Sequence, residues 1–97
     1  MSTSHIGRVI AEVLDRFCTH RAGDAVYSFD RLKSIQLQFA PSQRTLPTAR
    51  LRSLCQPDAA GYCAIGTLPL VLAARGIIVP TDTWTAVLGR WSLLRHP

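Results

Sequence analysis

The sequence predicts a mainly α fold: a small single domain of four or five helices. A helix-turn-helix or winged-helix-like arrangement and a short two-strand ribbon are the open variants. Three observations carry this. Ninety-seven residues suit one core, with about 60–65% of the extended chain's surface buried on folding. Apolar residues recur at i, i+3, i+4 and i+7 in two long stretches. Proline and glycine stand where helices would start and stop.

The first helix is expected over residues 5–19. Ile6, Val9, Ile10, Val13, Leu14 and Phe17 form its apolar face, and Arg8, Glu12, Asp15 and Arg16 fall mostly on the other side. Ser4 is placed to cap it, Gly7 weakens its first turn, and Glu12 and Arg16 are spaced to pair. Residues 19–24 read as a stop and a loop. The next segment, 25–40, is ambiguous. Ser28 followed by Phe29, Leu32, Ile35 and Phe39 favours a capped helix over 28–39, whereas Ile35, Leu37 and Phe39 alternate with Gln36 and Gln38 as a strand would. A loop with Pro41 and Pro47 follows. Thr48 can cap a short helix through about Gln56, with Leu51, Leu54 and Cys55 inward, and Pro57 and Asp58 end it.

Residues 62–65 and the β-branched run 77–79 are the candidate ribbon. Between them Thr67 is the expected N-cap of a helix with Pro69 in its first turn. Leu68, Val71, Leu72 and the stem of Arg75 line one face, and Gly76 is the left-handed C-cap. The last helix starts near Pro80 to Asp82. Trp84, Val87, Leu88, Trp91 and Leu94 form its stripe, and Arg95 and His96 suit its C-terminal dipole.

Composition bounds the function. At 47% hydrophobic and 18% charged the chain is too apolar for disorder. The formal charge is +5 and the pI near 9.9, which favours polyanions or acidic protein surfaces. All basic residues but Lys33 are arginine, suited to bidentate contacts with phosphate, carboxylate and guanine. The three cysteines, Cys18, Cys55 and Cys63, include no CxxC pair. They read as buried thiols in a reducing cytoplasm. No apolar leader and no run long enough to span a bilayer is visible, so neither secretion nor a membrane partner is expected.

Two segments could present arginines to a partner. Residues 66–91 read as a helix pair, with Thr83 and Arg90 on the second helix, although the connection is long for a helix-turn-helix and Asp82 opens the second helix where phosphates would lie. Residues 28–39 and 48–56 offer better chemistry, with Arg44, Thr48, Arg50 and Arg52 in the densest positive stretch. The site residues expected from the sequence are therefore Arg44, Thr48, Arg50, Arg52, Thr83 and Arg90, facing duplex DNA as a transcriptional regulator would. The alternative is an inhibitor or adaptor that docks the same basic surface on an acidic protein. The apolar fraction also admits a homodimer.

Neither a cofactor nor a metal is expected, since the cysteine and histidine spacings match no ligand pattern. No hydrolase, protease, phosphate-loop or dinucleotide motif is present, so no enzyme is expected. Cys18 and His20 are the nearest approach to a nucleophile and base.

Overall fold

The structure, a computed structural model, describes residues 5–34 and 46–95. Their elements run α1 (His5–Phe17), β1 (Cys18–Arg21), β2 (Asp24–Ser28), α2 (Phe29–Ser34), α3 (Thr48–Cys55), β3 (Tyr62–Ala64), a 3₁₀ turn (Ile65–Thr67), α4 (Leu68–Ala74) and α5 (Thr81–Arg95). The three strands form one antiparallel sheet in the order β1-β2-β3.

Helix α1 follows its periodicity. Val9, Ile10, Val13 and Leu14 are buried, and Arg16 Nη2 meets Glu12 Oε1 at 2.7 Å. That pair is largely solvated, so it contributes only a few tenths of a kcal/mol, of the order of ~0.3–0.5.

The sheet is the main correction to the sequence reading. Residues 19–24 are not a stop and a loop but most of a β-hairpin. Cys18 and His20 turn inward while Thr19 and Arg21 face solvent. Ala22 (φ 51°) and Gly23 (φ 87°) both adopt left-handed backbone, the two-residue turn whose twist matches the strands. Ala25 to Ser28, expected to lie within an ambiguous helical segment, form the central strand. Val26 and Tyr27 fit a pleated, half-buried surface, and tertiary pairing decides the outcome. Only Phe29–Ser34 of the expected helix 28–39 is observed as helix; residues 35–39 and the loop 40–45 lie outside the described residues. Ser28 Oγ accepts a long contact from the Arg31 N–H at 3.4 Å, a weak version of the expected cap.

Helix α3 ends as predicted but begins differently. Pro47 occupies the cap position without a side-chain bond, and Thr48 is the first helical residue rather than the cap. Gln56 closes the helix in left-handed backbone (φ 47°), its N–H bonding Arg52 O.

The expected ribbon between 62–65 and 77–79 does not form. Tyr62, Cys63 and Ala64 pair instead with Ser28, Tyr27 and Val26. Asp58 sets this up: its Oδ1 accepts the N–H groups of Ala60 and Tyr62, each at 2.9 Å. Its own N–H bonds Tyr62 O, also at 2.9 Å. The outer edge of β3 is thus occupied by its own preceding loop.

Helix α4 buries Leu68, Val71 and Leu72 with Pro69 in its first turn. Its C-terminus is a Schellman motif, in which Ile77 N bonds Leu72 O at 2.8 Å and Gly76 N bonds Ala73 O at 3.0 Å, with Gly76 at φ 93°. The chain then runs through Ile77 and Val79, both against the core, to α5. Each helix of the expected pair exists, but they do not pack as a helix-turn-helix. α4 lies chiefly on α3, and α5 on α1. Within α5, Val87 and Trp91 are buried. Leu94, expected on the same stripe, is 78% exposed, because it reaches only the rim of the groove between α1 and α5. One apolar cluster draws on all five of these helices together with β2 and β3.

Two substitutions test the turns. Ala22→Asn relieves left-handed strain that costs an alanine about 1 kcal/mol. It is expected to raise stability by roughly 0.5–1 kcal/mol in urea unfolding. Asp58→Ala removes two charge-assisted hydrogen bonds and is expected to cost about 2 kcal/mol in the same measurement.

Candidate functional site

The expected site residues fall on two elements with different packing partners. Thr48, Arg50 and Arg52 stand on α3. Its inner side is fixed by Leu51 and Cys55, both buried, against α4 and α2. This leaves Thr48, Ala49, Arg50, Arg52 and Ser53 exposed along the other side. None of these exposed α3 positions is acidic or large and apolar. Arg44 lies outside the described residues. Thr83 and Arg90 stand on α5, Thr83 half-buried and Arg90 exposed, on a helix that packs on α1.

The fold sets three arginines over aromatic rings, the expected Arg52 and two more, Arg21 and Arg31, that the sequence does not single out. The Arg52 guanidinium lies 4.7 Å from the Phe29 ring centre, Arg31 lies 5.7 Å from that of Phe17, and Arg21 lies 3.9 Å from that of Tyr62. A guanidinium over a ring face gains cation–π attraction, about 0.5–1 kcal/mol at exposed sites. The Arg52 pairing joins α3 to the first residue of α2, and Phe29 N bonds Gly61 O at 2.9 Å, which anchors that residue to the loop before β3. Arg21 reaches Tyr62 across the outer sheet face, over Val26. These pairings depend on the hairpin, which explains why the sequence reading did not raise them. The alternation of Cys18 to Arg21 and the β-prone run Ala25 to Tyr27 were the available signals.

A groove of about 470 Å³ runs on the outer face of the sheet, with Val26, Tyr62 and Ala64 along it and Asp24, Gln56 and Asp58 at its sides. Among the described residues no cluster of three or more His, Cys, Asp or Glu side chains could hold a metal ion. No described helix is long and apolar enough to cross a membrane.

Beneath the sheet lies a buried polar row. Cys18, Tyr27 and Cys63 face each other across the three strands. The Tyr27 hydroxyl is 2.6 Å from Thr67 Oγ1, which itself donates to Ala64 O at 2.7 Å. Thr67's one proton is thereby used, so Tyr27 is the donor. The Cys55 thiol lies within hydrogen-bonding reach of the Tyr27 hydroxyl and of Cys63. Burial pushes the Tyr27 hydroxyl far above its ordinary range. It also pushes Cys63 up to about 12, helped by the neighbouring Cys55. Arg75 closes this region at the C-terminus of α4, 6% exposed. Burial lowers its pKa, opposed by Cys55 nearby, and the helix dipole favours its charge there.

Cys18 and His20 are brought to one face of β1, a closer relation than adjacent helix positions would give. His20 stacks on Trp91 with ring centres 4.7 Å apart and planes 14° apart. Burial, however, pushes the Cys18 thiol up to about 12, so near neutral pH it carries almost no thiolate, the form a nucleophile needs. Cys55 and Cys63 are buried and Cys18 is half-buried. Ellman's reagent at pH 8 is expected to react with the native chain at least roughly 100-fold more slowly than with the chain in denaturant, where thiols regain their ordinary acidity; fast reaction in the native state would contradict the burial.

Comparison with protein-family models, with curated proteins and with solved structures found no match to this chain.

Proposed function

We propose that the chain is a small basic binding protein that docks its α3 surface on the phosphate backbone of duplex DNA, as a DNA-binding regulator would. The observation that carries this reading is the composition of that surface: Thr48, Ala49, Arg50, Arg52 and Ser53 are exposed side by side, with two guanidinium groups and no carboxylate in the helix. Guanidinium forks match phosphate oxygens bidentately, and the Thr48 hydroxyl adds a neutral donor. Stacking of Arg52 on Phe29 and of Arg31 on Phe17 limits the side-chain entropy lost on docking. Contacts of this kind position a protein on the duplex; they do not read bases.

A second reading has one observation in its favour. Because α4 and α5 pack on different partners, they offer no paired recognition unit. The same α3 surface would then dock on an acidic protein, as an inhibitor or adaptor does.

Fluorescence anisotropy with a labelled duplex tests the first reading. Binding is expected at low salt, with a log–log salt slope near −2.7 if about three phosphates are neutralised. Arg50→Glu and Arg52→Glu are each expected to weaken binding uniformly across sequences and to reduce that slope by about 1. No binding at low salt would sink it. Capture of a protein partner that survives nuclease and is lost with Arg50→Glu would replace it with the second reading.

A further inference from the structure

One face of α5 is exposed along its length, although Arg90 and Leu94 also border the groove against α1 that Ala11 and Asp15 line. Asp82, Thr85, Ala86, Gly89, Arg90, Leu93 and Leu94 are all exposed, at the i, i+3, i+4, i+7 spacing of a single stripe. Leu93 is 80% and Leu94 78% exposed, and Ile78, in the connection just before α5, is 72% exposed. The two charges on this stripe, Asp82 and Arg90, make no ion pair with any described residue. At Gly89 a side chain would meet nothing within 4 Å.

We propose that this face is a homodimer interface in which α5 packs antiparallel on α5 of a second copy, with the two-fold axis at Ala86. The argument is complementarity of the stripe with itself. Asp82 and Arg90 lie four residues on either side of Ala86, about 6 Å along the helix axis in each direction. A two-fold at Ala86 therefore sets Arg90 of each copy against Asp82 of the other, and both charges find partners. Leu93 and Leu94, the most exposed apolar residues of the helix, lie on the same stripe and add apolar area to the contact. Ala86 and Gly89 at the centre allow helices to approach at the short end of the usual 8–10 Å separation. A parallel pairing would place Asp82 on Asp82 and Arg90 on Arg90, like charges in contact. An isologous interface requires a surface that complements itself, and this stripe does so in charge. The proposal makes no use of nucleic acid, and it assigns Arg90 to self-association rather than to DNA.

Sedimentation velocity of the full chain without nucleic acid tests it. A concentration-dependent dimer is expected for the native sequence. Asp82→Arg and Arg90→Asp each set like charges across the axis and are expected to weaken self-association at least roughly tenfold. An equimolar mixture of these two variants is expected to form a heterodimer, since each supplies the charge the other lacks. Leu94→Asp is expected to weaken the native dimer as well. All these positions are exposed, and circular dichroism confirms that the variants fold. The proposal is overturned if the native chain stays monomeric throughout the concentration range. It is equally overturned if the single charge reversals dimerise as the native chain does, or if their mixture fails to associate.

Discussion

The constraint on which the rest of the molecule depends is the buried hydroxyl of Tyr27. It sits on the central strand, 1% exposed, where an unsatisfied hydroxyl would cost about 1–3 kcal/mol. Thr67 satisfies it at 2.6 Å and passes its own proton to Ala64 O. This short relay links the middle of the sheet to the start of α4. It also explains why Thr67 makes no side-chain cap for α4, although it occupies the cap position. Pro69 compensates, because a residue without an N–H leaves one donor fewer to satisfy in the first turn.

The same relay and the Asp58 loop close the free edge of β3, since the outward groups of Tyr62 bond Asp58 and the carbonyl of Ala64 bonds Thr67. An edge strand with its hydrogen bonds already used does not recruit another chain. It also cannot accept the run 77–79, and so the predicted ribbon fails. On the other side of the sheet, Trp91 packs against His20 of β1 and holds α5 over α1. A helix fixed in that position is not available to pair with α4. That α4 and α5 do not pack on each other thus follows from where Trp91 is buried, rather than from any defect in the two helices.

The helices were largely legible in the sequence. α1, α4 and α5 carry their period, their prolines and their capping glycine in plain order, and each appears within about two residues of the expected bounds. The sheet was not legible. Its strands are only three to five residues long, too short for alternation to stand out against the helical period. Its turn uses Ala22-Gly23, where the usual signal is Asn or Asp before Gly. Of the candidate surface, the α3 arginines were visible as a cluster. Arg21 and Arg31 were not, because the aromatic rings that hold them, Tyr62 and Phe17, come from other elements of the chain. Leu94 was misjudged for a related reason: helical spacing says which residues share a face, but not where the opposing element stops.

The positions of the arginines, more than their number, weigh on function. The formal charge of +5 spreads over residues in unlike states. Arg16 is paired with Glu12, Arg75 is buried, and Arg90 shares its stripe with Asp82. Among the described helices, only α3 carries exposed arginines without a carboxylate in the same helix. A polyanion would therefore meet α3 first, and the uncompensated field there would steer its approach. If α5 joins two copies, two such surfaces are carried by one particle in a fixed relation. A single α3 contact of two or three phosphates is weak, but linking two turns the second contact into an intramolecular event at high effective concentration. Under both proposals, self-association through a neutral stripe and docking through a basic one would act together, and neither surface would need much affinity of its own.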